Sequence, residues 1–471
     1  MKMLLVMSPM FKHSTHFLAS TDNEIPIGLC YLAAALEKAG HSAKIFDGQI
    51  IPRVEEEFTN LLKIENFDAI GFSVVSQAVL GAIKLSEIAK KLRPSVITII
   101  GGAQPTVMGE KIMDAMPDID IAVFGEGEKT IIELIHHLEN KKSLDSIKGV
   151  AYKKNGRVIR TERRELIQNI DSIPFPAYHL INIKKYTPPP GLFFRKPIVG
   201  VISARGCPFN CHFCADRIIW QGVVRLRKPE RVLDEIELLA KKYGVKEIKF
   251  FDDTFTINRQ RTIAICNGIL ERNLNVIWRC SSRVDTVDKE LLALMKKSGC
   301  WSISFGIESG SDEMLKKMDK RITVEKVKKA VKWAKEAGME TKGFFLLNYP
   351  GDTIETTEKT IAFPKELDLD FAGFNLIFPF WGTQVREEIE KNYQIEKKVW
   401  DKWDTPLGNT IFFHQPQLPD EYLKKAFKRA ARGFYLRPKM FFKALKRIRN
   451  FEMLKSYVVG ALRLFKLRMF K

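Results

Sequence analysis

Short apolar runs alternate with amphipathic patterns over roughly the first 140 residues. Continuous apolar runs of this length are typical of strands buried on both faces, and the 3.6-residue periodicity between them predicts covering helices. The predicted strands lie in the segments MLLVMSP, SAKIFDG, DAIGFSVV, VITIIGG and IAVFGEGE. Five such units predict a doubly wound, Rossmann-like α/β domain at residues 1–140, with its ligand beyond the carboxyl ends of the strands.

A second strand–helix series follows after a break in the pattern. Residues 141–196 are rich in Lys and Arg and contain five prolines between positions 174 and 190, which predicts a linker. Six apolar runs then alternate with helical patterns over residues 197–385. Six units fall short of the eight that close a TIM barrel, so the sequence predicts a partial (β/α)6 barrel. Residues 386–471 are predicted to form a basic, mostly helical region.

Composition indicates the class of protein and the cellular compartment. The 471 residues are 45% hydrophobic and 28% charged, which is typical of a globular protein, and no apolar run is long enough to predict a transmembrane helix. Seven cysteines without disulfide-like spacing indicate a reducing cytoplasm. The net charge is +20, and most of it belongs to residues 421–471, which hold 16 Lys and Arg against two acids.

Candidate chemistry is concentrated in the segment ARGCPFNCHFCADR, directly after the first strand of the second series. Its cysteines Cys207, Cys211 and Cys214 have the spacing C-x3-C-x2-C and lie at the strand end where barrel enzymes keep their active sites. Structural zinc sites use four ligands, usually in two close pairs, and no second pair occurs here. An iron–sulfur cube can instead accept three cysteines and leave one iron for a ligand that is not protein. The spacing therefore predicts one 4Fe–4S cluster with an open iron.

This motif resembles the signature of the radical S-adenosylmethionine (SAM) superfamily, in which an aromatic residue precedes the third cysteine. Phe213 has that place here, and the resemblance implies that it contacts SAM. The resemblance spans about residues 195–385. It implies that the open iron binds SAM, which is cleaved to a 5′-deoxyadenosyl radical with an electron from an external flavodoxin or ferredoxin. It also implies further SAM contacts at the ends of the second, third and fourth strands: Asp252, Asp253, Arg283, Glu308 and Ser309. For the two aspartates and the arginine, a solvated ion pair is the alternative.

The first domain lacks the motifs of a nucleotide-binding domain. The segment after its first strand, MSPMFKHSTHF, has no glycine, and GEGEKT lacks the third glycine of a dinucleotide fingerprint. The arrangement resembles the cobalamin-binding domain of cobalamin-dependent radical SAM enzymes, where small residues at the strand ends let the corrin lie close to the backbone. The candidate contacts follow the third, fourth and fifth strands: Ser73, Ser76, Gln77, Gly101, Gly102, Gln104, Gly125, Glu126 and Gly127. The alternative is an empty domain with glycine-rich turns.

The histidine and cysteine positions bear on the number and kind of metal ligands. The motif D-x-H-x-x-G, which supplies a histidine to cobalt in some cobalamin proteins, is absent, and the nearest histidines are His13 and His16 in FKHSTHFL. The resemblance thus implies a cobalt without a histidine ligand. Cys266, Cys280 and Cys300 are scattered singly along the chain, which indicates buried small side chains and a single cluster.

As the resemblance implies, the protein is a cobalamin-dependent radical SAM enzyme, and methylation of an unactivated carbon of a small molecule is the favoured reaction. Two alternatives stay open at this point. The first is cyclisation or another carbon-skeleton change that uses both cofactors without methyl transfer. The second is a cobalamin- or redox-sensing protein without turnover, against which the intact cysteine triad argues.

The end of the chain carries a separate signal. Residues 451–471, FEMLKSYVVGALRLFKLRMFK, combine near-helical apolar spacing with five Lys and Arg after the last acid, Glu452. A helix packed on the barrel satisfies this pattern, and so does a helix lying on an anionic membrane, which would imply a peripheral membrane location and a lipid-like substrate. No recognised nucleic-acid-binding module accompanies the charge, so a nucleic-acid partner is not expected.

Overall fold

The computed structural model of this α/β protein describes residues 1–10, 24–189, 192–395 and 410–448, together with Leu454 and Val458. The described residues form two compact units. The first contains those up to Tyr186 and the short segment Ile218–Gln221, and the second contains the others from Thr187 onward. Among the described helices, none combines the length and the apolar character that a bilayer crossing requires.

The first unit is built on one twisted sheet. Its strands are β1 (Lys2–Met7), β2 (Ser42–Asp47), β3 (Ala69–Ser73), β4 (Ile97–Gly101), β5 (Ile121–Val123), β6 (Val150–Lys154) and β7 (Arg157–Arg160). Its helices are α1 (Ile27–Lys38), α2 (Val54–Ile64), α3 (Val79–Leu92), α4 (Ala103–Met108) and α5 (Gly127–Glu139). The strand order is β2-β1-β3-β4-β5-β6-β7, and β1 to β5 are parallel. The predicted Rossmann-like arrangement is therefore confirmed.

Two strands that the sequence analysis did not predict extend this sheet beyond residue 140. β6 pairs antiparallel with β5, and β7 pairs antiparallel with β6 through a turn at Asn155 and Gly156, both of which have positive φ. Further along, Ala177 N donates to Cys30 O at 2.9 Å, and Tyr186 OH donates to Asp47 Oδ2 at 3.0 Å. We therefore propose that the first domain extends to Tyr186, past the predicted boundary at 140 and through most of the predicted 141–196 linker.

The second unit contains the other strands. They are β8 (Ile198–Val201), β9 (Ala204–Arg205), β10 (Arg225–Leu226), β11 (Glu247–Phe250), β12 (Ile277–Ser282), β13 (Cys300–Glu308), β14 (Glu340–Leu347), β15 (Phe371–Leu376), β16 (Gln394–Ile395) and β17 (Phe413–His414). The helices from residue 216 onward are α6 (Asp216–Trp220), α7 (Pro229–Tyr243), α8 (Arg259–Glu271), α9 (Lys289–Lys297), α10 (Asp312–Lys317), α11 (Val324–Glu336), α12 (Ile354–Glu366), α13 (Gln384–Asn392), α14 (Asp420–Tyr435) and α15 (Pro438–Arg447).

Six parallel strands of this unit form the partial barrel in the order β15-β14-β13-β12-β11-β8. Its core includes Trp278, which is fully buried and packs edge-on against Phe250 with ring centroids 5.4 Å apart. Gly200 on β8 is required by close packing, because a Cβ there would lie 1.7 Å from the ring of Phe251. The six predicted strands and their order along the chain are confirmed.

The C-terminal helix α14 packs on the barrel. Its buried residues share one face: Leu423, Ala426, Phe427, Ala430 and Phe434. At its end, Tyr435 OH accepts a hydrogen bond from Ala372 N at 3.1 Å and donates one to Ala372 O at 2.9 Å. This helix therefore buries its apolar face in the ordinary way. Apart from Leu454 and Val458, residues 451–471 lie outside the described residues, and so does the prediction made for them.

Candidate active site

The cysteine loop, residues 206–215, leaves strand β9, which pairs with β10. Gly206 opens the loop with a φ of +94°, a conformation that favours glycine. The backbone of His212 anchors the loop, because its N–H donates to Met318 O and its carbonyl accepts from Val385 N, both at 3.1 Å. Phe213 packs into an apolar cluster that includes Met314. The backbone and the aromatic residue thus hold the loop, and the thiols are left for other ligands.

The three thiols fit an iron–sulfur cluster. Cys207, Cys211 and Cys214 are half-buried, and burial raises the pKa of each, so that binding iron would release their protons. Within the described ranges, no three His, Cys, Asp or Glu side chains are placed to hold a single metal ion. A cube gives each cysteine an iron of its own, so its ligands do not converge on one point.

Arg283 lies beside the cysteine loop but is bound to a neighbour of its own. Its Nε and Nη2 donate to the two carboxylate oxygens of Asp285, both at 2.9 Å, and Nη2 also donates to Lys320 O at 2.7 Å. Its Nη1 lies 3.8 Å from Cys211 Sγ, and its guanidinium stacks on the ring of Phe209 at 3.6 Å from the centroid. We therefore propose that this side chain supports Cys211; its predicted contact with the carboxylate of SAM stays a prediction.

Glu308, at the end of β13, forms a buried ion pair with Lys320, a residue that the sequence analysis missed. Lys320 Nζ lies 2.8 Å from Glu308 Oε1, and less than a tenth of either side chain is exposed. A Cβ at Gly306 would lie 2.6 Å from the same Glu308 oxygen, so glycine makes room for the pair. Burial alone would lower the pKa of Lys320, but Glu308 and Cys211 hold it above its usual value. A buried, charged ammonium thus lies near the cysteine loop.

The adjacent aspartates after β11 have different surroundings. Asp252 is buried, and its carboxylate accepts from the N–H of Ser203 at 2.7 Å and from the hydroxyl of the same residue. Burial raises the pKa of Asp253 to about 8, with the Asp216 carboxyl adding to the rise, and Gly206 N–H hydrogen-bonds to it. Because the carboxylate of Asp252 is hydrogen-bonded within the fold, we propose that Asp253 is the aspartate that contacts the ammonium of SAM.

Ser309 holds the turn after β13. Its hydroxyl lies 2.9 Å from Thr360 Oγ1 and accepts a hydrogen bond from Ser311 N at 3.1 Å. Glu308, directly before it, has a φ of +71°, which is unusual for a residue other than glycine and costs backbone energy. The turn therefore positions Glu308, and we propose that Ser309 acts through this support.

In the first unit, the candidate cobalamin residues follow neighbouring parallel strands, so most of them lie along one edge of the sheet. Ser73 at the end of β3 pairs with Gly101 at the end of β4. Gly102 has a φ of +107°, and a Cβ on it would lie 3.0 Å from Val74 O. After β5, Gly125 has a φ of +76° and open space where a Cβ would point. Glycine at position 102 is thus required by the close approach of Val74, whereas the open space at Gly125 fits a large flat ring, as the resemblance implies.

The other candidates in this unit divide into two groups. Ser76 Oγ hydrogen-bonds to Gln104 Oε1, and Gln77 is half-buried beside them, so all three stay assigned to this edge. Glu126 instead accepts a hydrogen bond from Ile167 N at 2.7 Å, and a Cβ on Gly127 would lie 2.9 Å from Leu32. We therefore propose that Glu126 and Gly127 contribute to the packing of the first unit. His13 and His16 lie outside the described residues.

The remaining barrel cysteines are separate in the sequence but close in space. The thiol of Cys280 hydrogen-bonds to that of Cys300, and burial raises the pKa of both Cys266 and Cys280. All three are buried. Cysteines that are far apart in the sequence are therefore close together in the fold. Their burial agrees with the expectation that they act as small apolar side chains.

Comparison with known proteins identifies both units. The family model of the radical SAM superfamily matches residues 201–363, and that of the B12 binding domain matches residues 18–135. An uncharacterized methyltransferase of Pyrococcus horikoshii is 36% identical over 467 residues, which cover 99% of each chain. The anaerobic magnesium-protoporphyrin IX monomethyl ester cyclase of Rubrivivax gelatinosus is 28% identical over 377 residues, covering 79% of this chain and 67% of that protein.

A solved structure has the same arrangement of elements. The cobalamin-dependent SAM radical enzyme OxsB, with aqua-cobalamin and SAM bound, has a TM-score of 0.75 at 18% identity and covers 99% of this chain and 72% of its own. This likeness shows the fold. Because both family models match and the likeness to the Pyrococcus methyltransferase extends over nearly the whole chain, this protein belongs to the cobalamin-dependent radical SAM family, as an enzyme of the methyltransferase type that uses a 4Fe–4S cluster, SAM and cobalamin.

Proposed function

We propose that this enzyme transfers a methyl group to an unactivated carbon of a small molecule. The observation that carries the proposal is the loop with Cys207, Cys211 and Cys214, which offers three thiols and leaves one iron of a cube without a protein ligand. The open space at Gly125, after strand β5, supports a bound cobalamin in the first unit. The name of the Pyrococcus relative, a methyltransferase, agrees with this reaction.

The residues of the chain bind and orient the cofactors. When bound, the cluster and SAM supply a radical that removes a hydrogen atom from the substrate, and cobalamin supplies the methyl group. Lys320 provides a positive charge for the carboxylate of SAM, because it is a buried ammonium near Cys211. Asp253 provides the acceptor for the ammonium, because it lies near Cys207. Arg283 limits the negative charge around Cys211 through its Nη1 contact.

The same proposal includes the partners and the location. An external flavodoxin or ferredoxin supplies the electron that SAM cleavage needs, and the enzyme works in the cytoplasm on a small molecule without a nucleic-acid partner. Contact with a membrane through residues 451–471, and a lipid-like substrate, follow from the amphipathic pattern of that segment. Both stay predictions.

Product analysis separates methylation from the main alternative. Anaerobically reconstituted enzyme, incubated with host extract and methyl-labelled SAM, is expected to form both S-adenosylhomocysteine and 5′-deoxyadenosine and to place label in one extract component. Two SAM molecules are needed, because one regenerates the methyl group on cobalamin and the other gives the radical. Mass spectrometry of the labelled component then identifies the substrate.

Cyclisation without methyl transfer is the second candidate, because the Rubrivivax cyclase covers 79% of this chain. That reaction would give 5′-deoxyadenosine without S-adenosylhomocysteine and leave no label in the extract. Absence of both products, in enzyme with a complete cluster and bound cobalamin, would contradict any enzymatic role and favour the sensing alternative.

Cobalt is expected to bind without a histidine ligand. The electron paramagnetic resonance spectrum of the Co(II) enzyme should therefore show no splitting from a protein nitrogen, whereas the cofactor's own benzimidazole nitrogen splits each cobalt line into three when it binds cobalt. The physical reason is the absence of the motif D-x-H-x-x-G from the chain. Enzyme labelled with 15N and loaded with unlabelled cobalamin separates the two sources, and a doublet on each cobalt line would contradict this expectation. If a doublet appeared, replacing His13 and His16 with alanine in separate variants would show which residue supplies the ligand.

A further inference from the structure

Helix α15 is oriented differently from the helix before it. Lys439 Nζ lies 2.7 Å from Asp368 Oδ1, and Lys443 Nζ lies 2.6 Å from Asp370 Oδ1, so two lysines one turn apart face the acids of the barrel. Phe441 and Phe442 are 63% and 62% exposed. The two aromatic side chains of this helix thus point to solvent, while Met440 is its buried apolar residue.

The preceding helix provides the contrast. α14 buries its apolar face against the barrel, with Phe427 and Phe434 among the covered residues. Packing on the barrel therefore explains the amphipathic pattern of α14 and leaves the aromatic side chains of α15 unexplained. Four large apolar side chains in and directly before this helix are exposed, and Phe441 and Phe442 contact each other with ring centroids 6.2 Å apart. We call these four residues the α15 apolar face: Leu436, Phe441, Phe442 and Leu445.

Exposed apolar side chains are concentrated at this end of the chain. Of the nine large apolar side chains that are exposed in the described residues, six lie between Leu436 and Val458. Single exposed apolar residues are normal on protein surfaces, whereas a contiguous group indicates contact with something apolar. This concentration of exposed apolar side chains therefore indicates that an apolar partner covers them.

Charge indicates which partner covers this surface. Residues 436–449 contain six Lys and Arg and no acid, and two of the six, Lys439 and Lys443, are paired with acids of the barrel. An apolar face within such a basic segment matches a bilayer that carries anionic lipid, because the side chains enter the apolar phase while the cations meet the headgroups. We infer that the α15 apolar face docks on an anionic membrane surface. This inference concerns residues 436–445 and does not depend on the reaction or on the tail at 451–471.

Two other occupants fit the apolar surface less well. A second copy of the chain would bring two strongly basic segments together, and like charges at close range oppose such a contact. Residues of the chain's own tail would also have to bring their lysines and arginines against a region that is already basic. Both remain distinguishable outcomes of the same experiment.

The experiment is cosedimentation of the full-length, reconstituted enzyme with vesicles at low salt. With vesicles of phosphatidylcholine and phosphatidylglycerol, we expect the bound fraction to be high, and with phosphatidylcholine alone much lower. In the variant Phe441→Ser/Phe442→Ser, the affinity for the mixed vesicles should fall by about tenfold or more, because two aromatic side chains no longer enter the apolar phase. Unchanged circular dichroism and cluster content would show that the variant is folded.

A matched control removes two exposed apolar side chains elsewhere. Ile64 and Ile354 are 87% and 45% exposed, and the variant Ile64→Ser/Ile354→Ser should bind vesicles as the unaltered enzyme does. Equal or stronger binding by the Phe441→Ser/Phe442→Ser variant would overturn the inference and indicate that the chain's own tail covers this face. A dimer in light scattering that the same variant abolishes would assign the face to a second copy. Failure of the unaltered enzyme to bind mixed vesicles would also overturn it.

Discussion

Replacing Cys211 with Ala is expected to abolish cluster assembly and SAM cleavage while cobalamin stays bound. The cysteine loop offers only three thiols, so the loss of one leaves the cube with two protein ligands. Iron content should fall from about four atoms per chain to nearly none after anaerobic reconstitution. No 5′-deoxyadenosine should form. Cobalamin should still bind, because its proposed contacts belong to strand ends of the first sheet, such as Ser73 and Gly102.

Cys266→Ala is the matched control for this change. Cys266 is a buried cysteine of helix α8, and its removal should lower the stability modestly without loss of iron. Two results would contradict the assignment. A Cys211→Ala variant that still assembled a complete cluster would mean that another residue supplies the ligand. About eight or more irons in the unaltered chain would mean that the count of one cluster is wrong.

Replacing Lys320 with Met is expected to destabilise the protein and to abolish SAM binding. The change leaves the Glu308 carboxylate buried without its cation, and breaking a buried ion pair in this way costs about 3 to 5 kcal/mol in the free energy of unfolding. The same change removes the ammonium proposed to meet the carboxylate of SAM. Denaturant unfolding measures the first effect, and the change in the cluster's electron paramagnetic resonance spectrum on adding SAM measures the second.

A double variant separates the two effects. In Lys320→Met/Glu308→Gln no unpaired charge is buried, so most of the lost stability should return while SAM binding stays absent. Because Glu308 is also a candidate SAM contact, Glu308→Gln alone measures its own share of the loss in SAM binding. Lys332→Met is the surface control, since its side chain is 75% exposed and lies 3.9 Å from Glu336, and it should change neither property appreciably. Retained SAM binding in the folded double variant would contradict the role of Lys320, and full stability of the single variant would contradict the buried pair.

The sequence predicted the two parallel sheets well, because buried parallel strands are continuous apolar runs and their connecting helices are strongly periodic. The hairpin β6–β7 was missed because β7 is short, basic and largely exposed, and has no apolar run. A usable signal was present in Asn155-Gly156, a dipeptide typical of tight hairpin turns. It was overlooked because the surrounding Lys and Arg indicated a linker.

The residues of the candidate site could be predicted only where their spacing in the sequence is itself typical of a ligand set. The three cysteines stand out from their spacing alone. Lys320 did not, because it follows other lysines in the segment EMLKKMDKR, and only burial in the fold distinguishes it. Asp252 and Asp253 are adjacent in sequence, but the first faces Ser203 and the second lies near Gly206. Such differences depend on contacts between distant segments, which pattern analysis does not contain.

An open barrel has edge strands at which the backbone of another chain can pair. β15 is the last strand of its sheet, and an exposed edge strand offers unpaired N–H and C=O groups on which a foreign strand can add. The phenol of Tyr435 occupies both groups of Ala372 at once, as acceptor from one and donor to the other. Helix α14 thus covers the edge of the sheet at Ala372, where β15 no longer offers free backbone groups to a foreign strand.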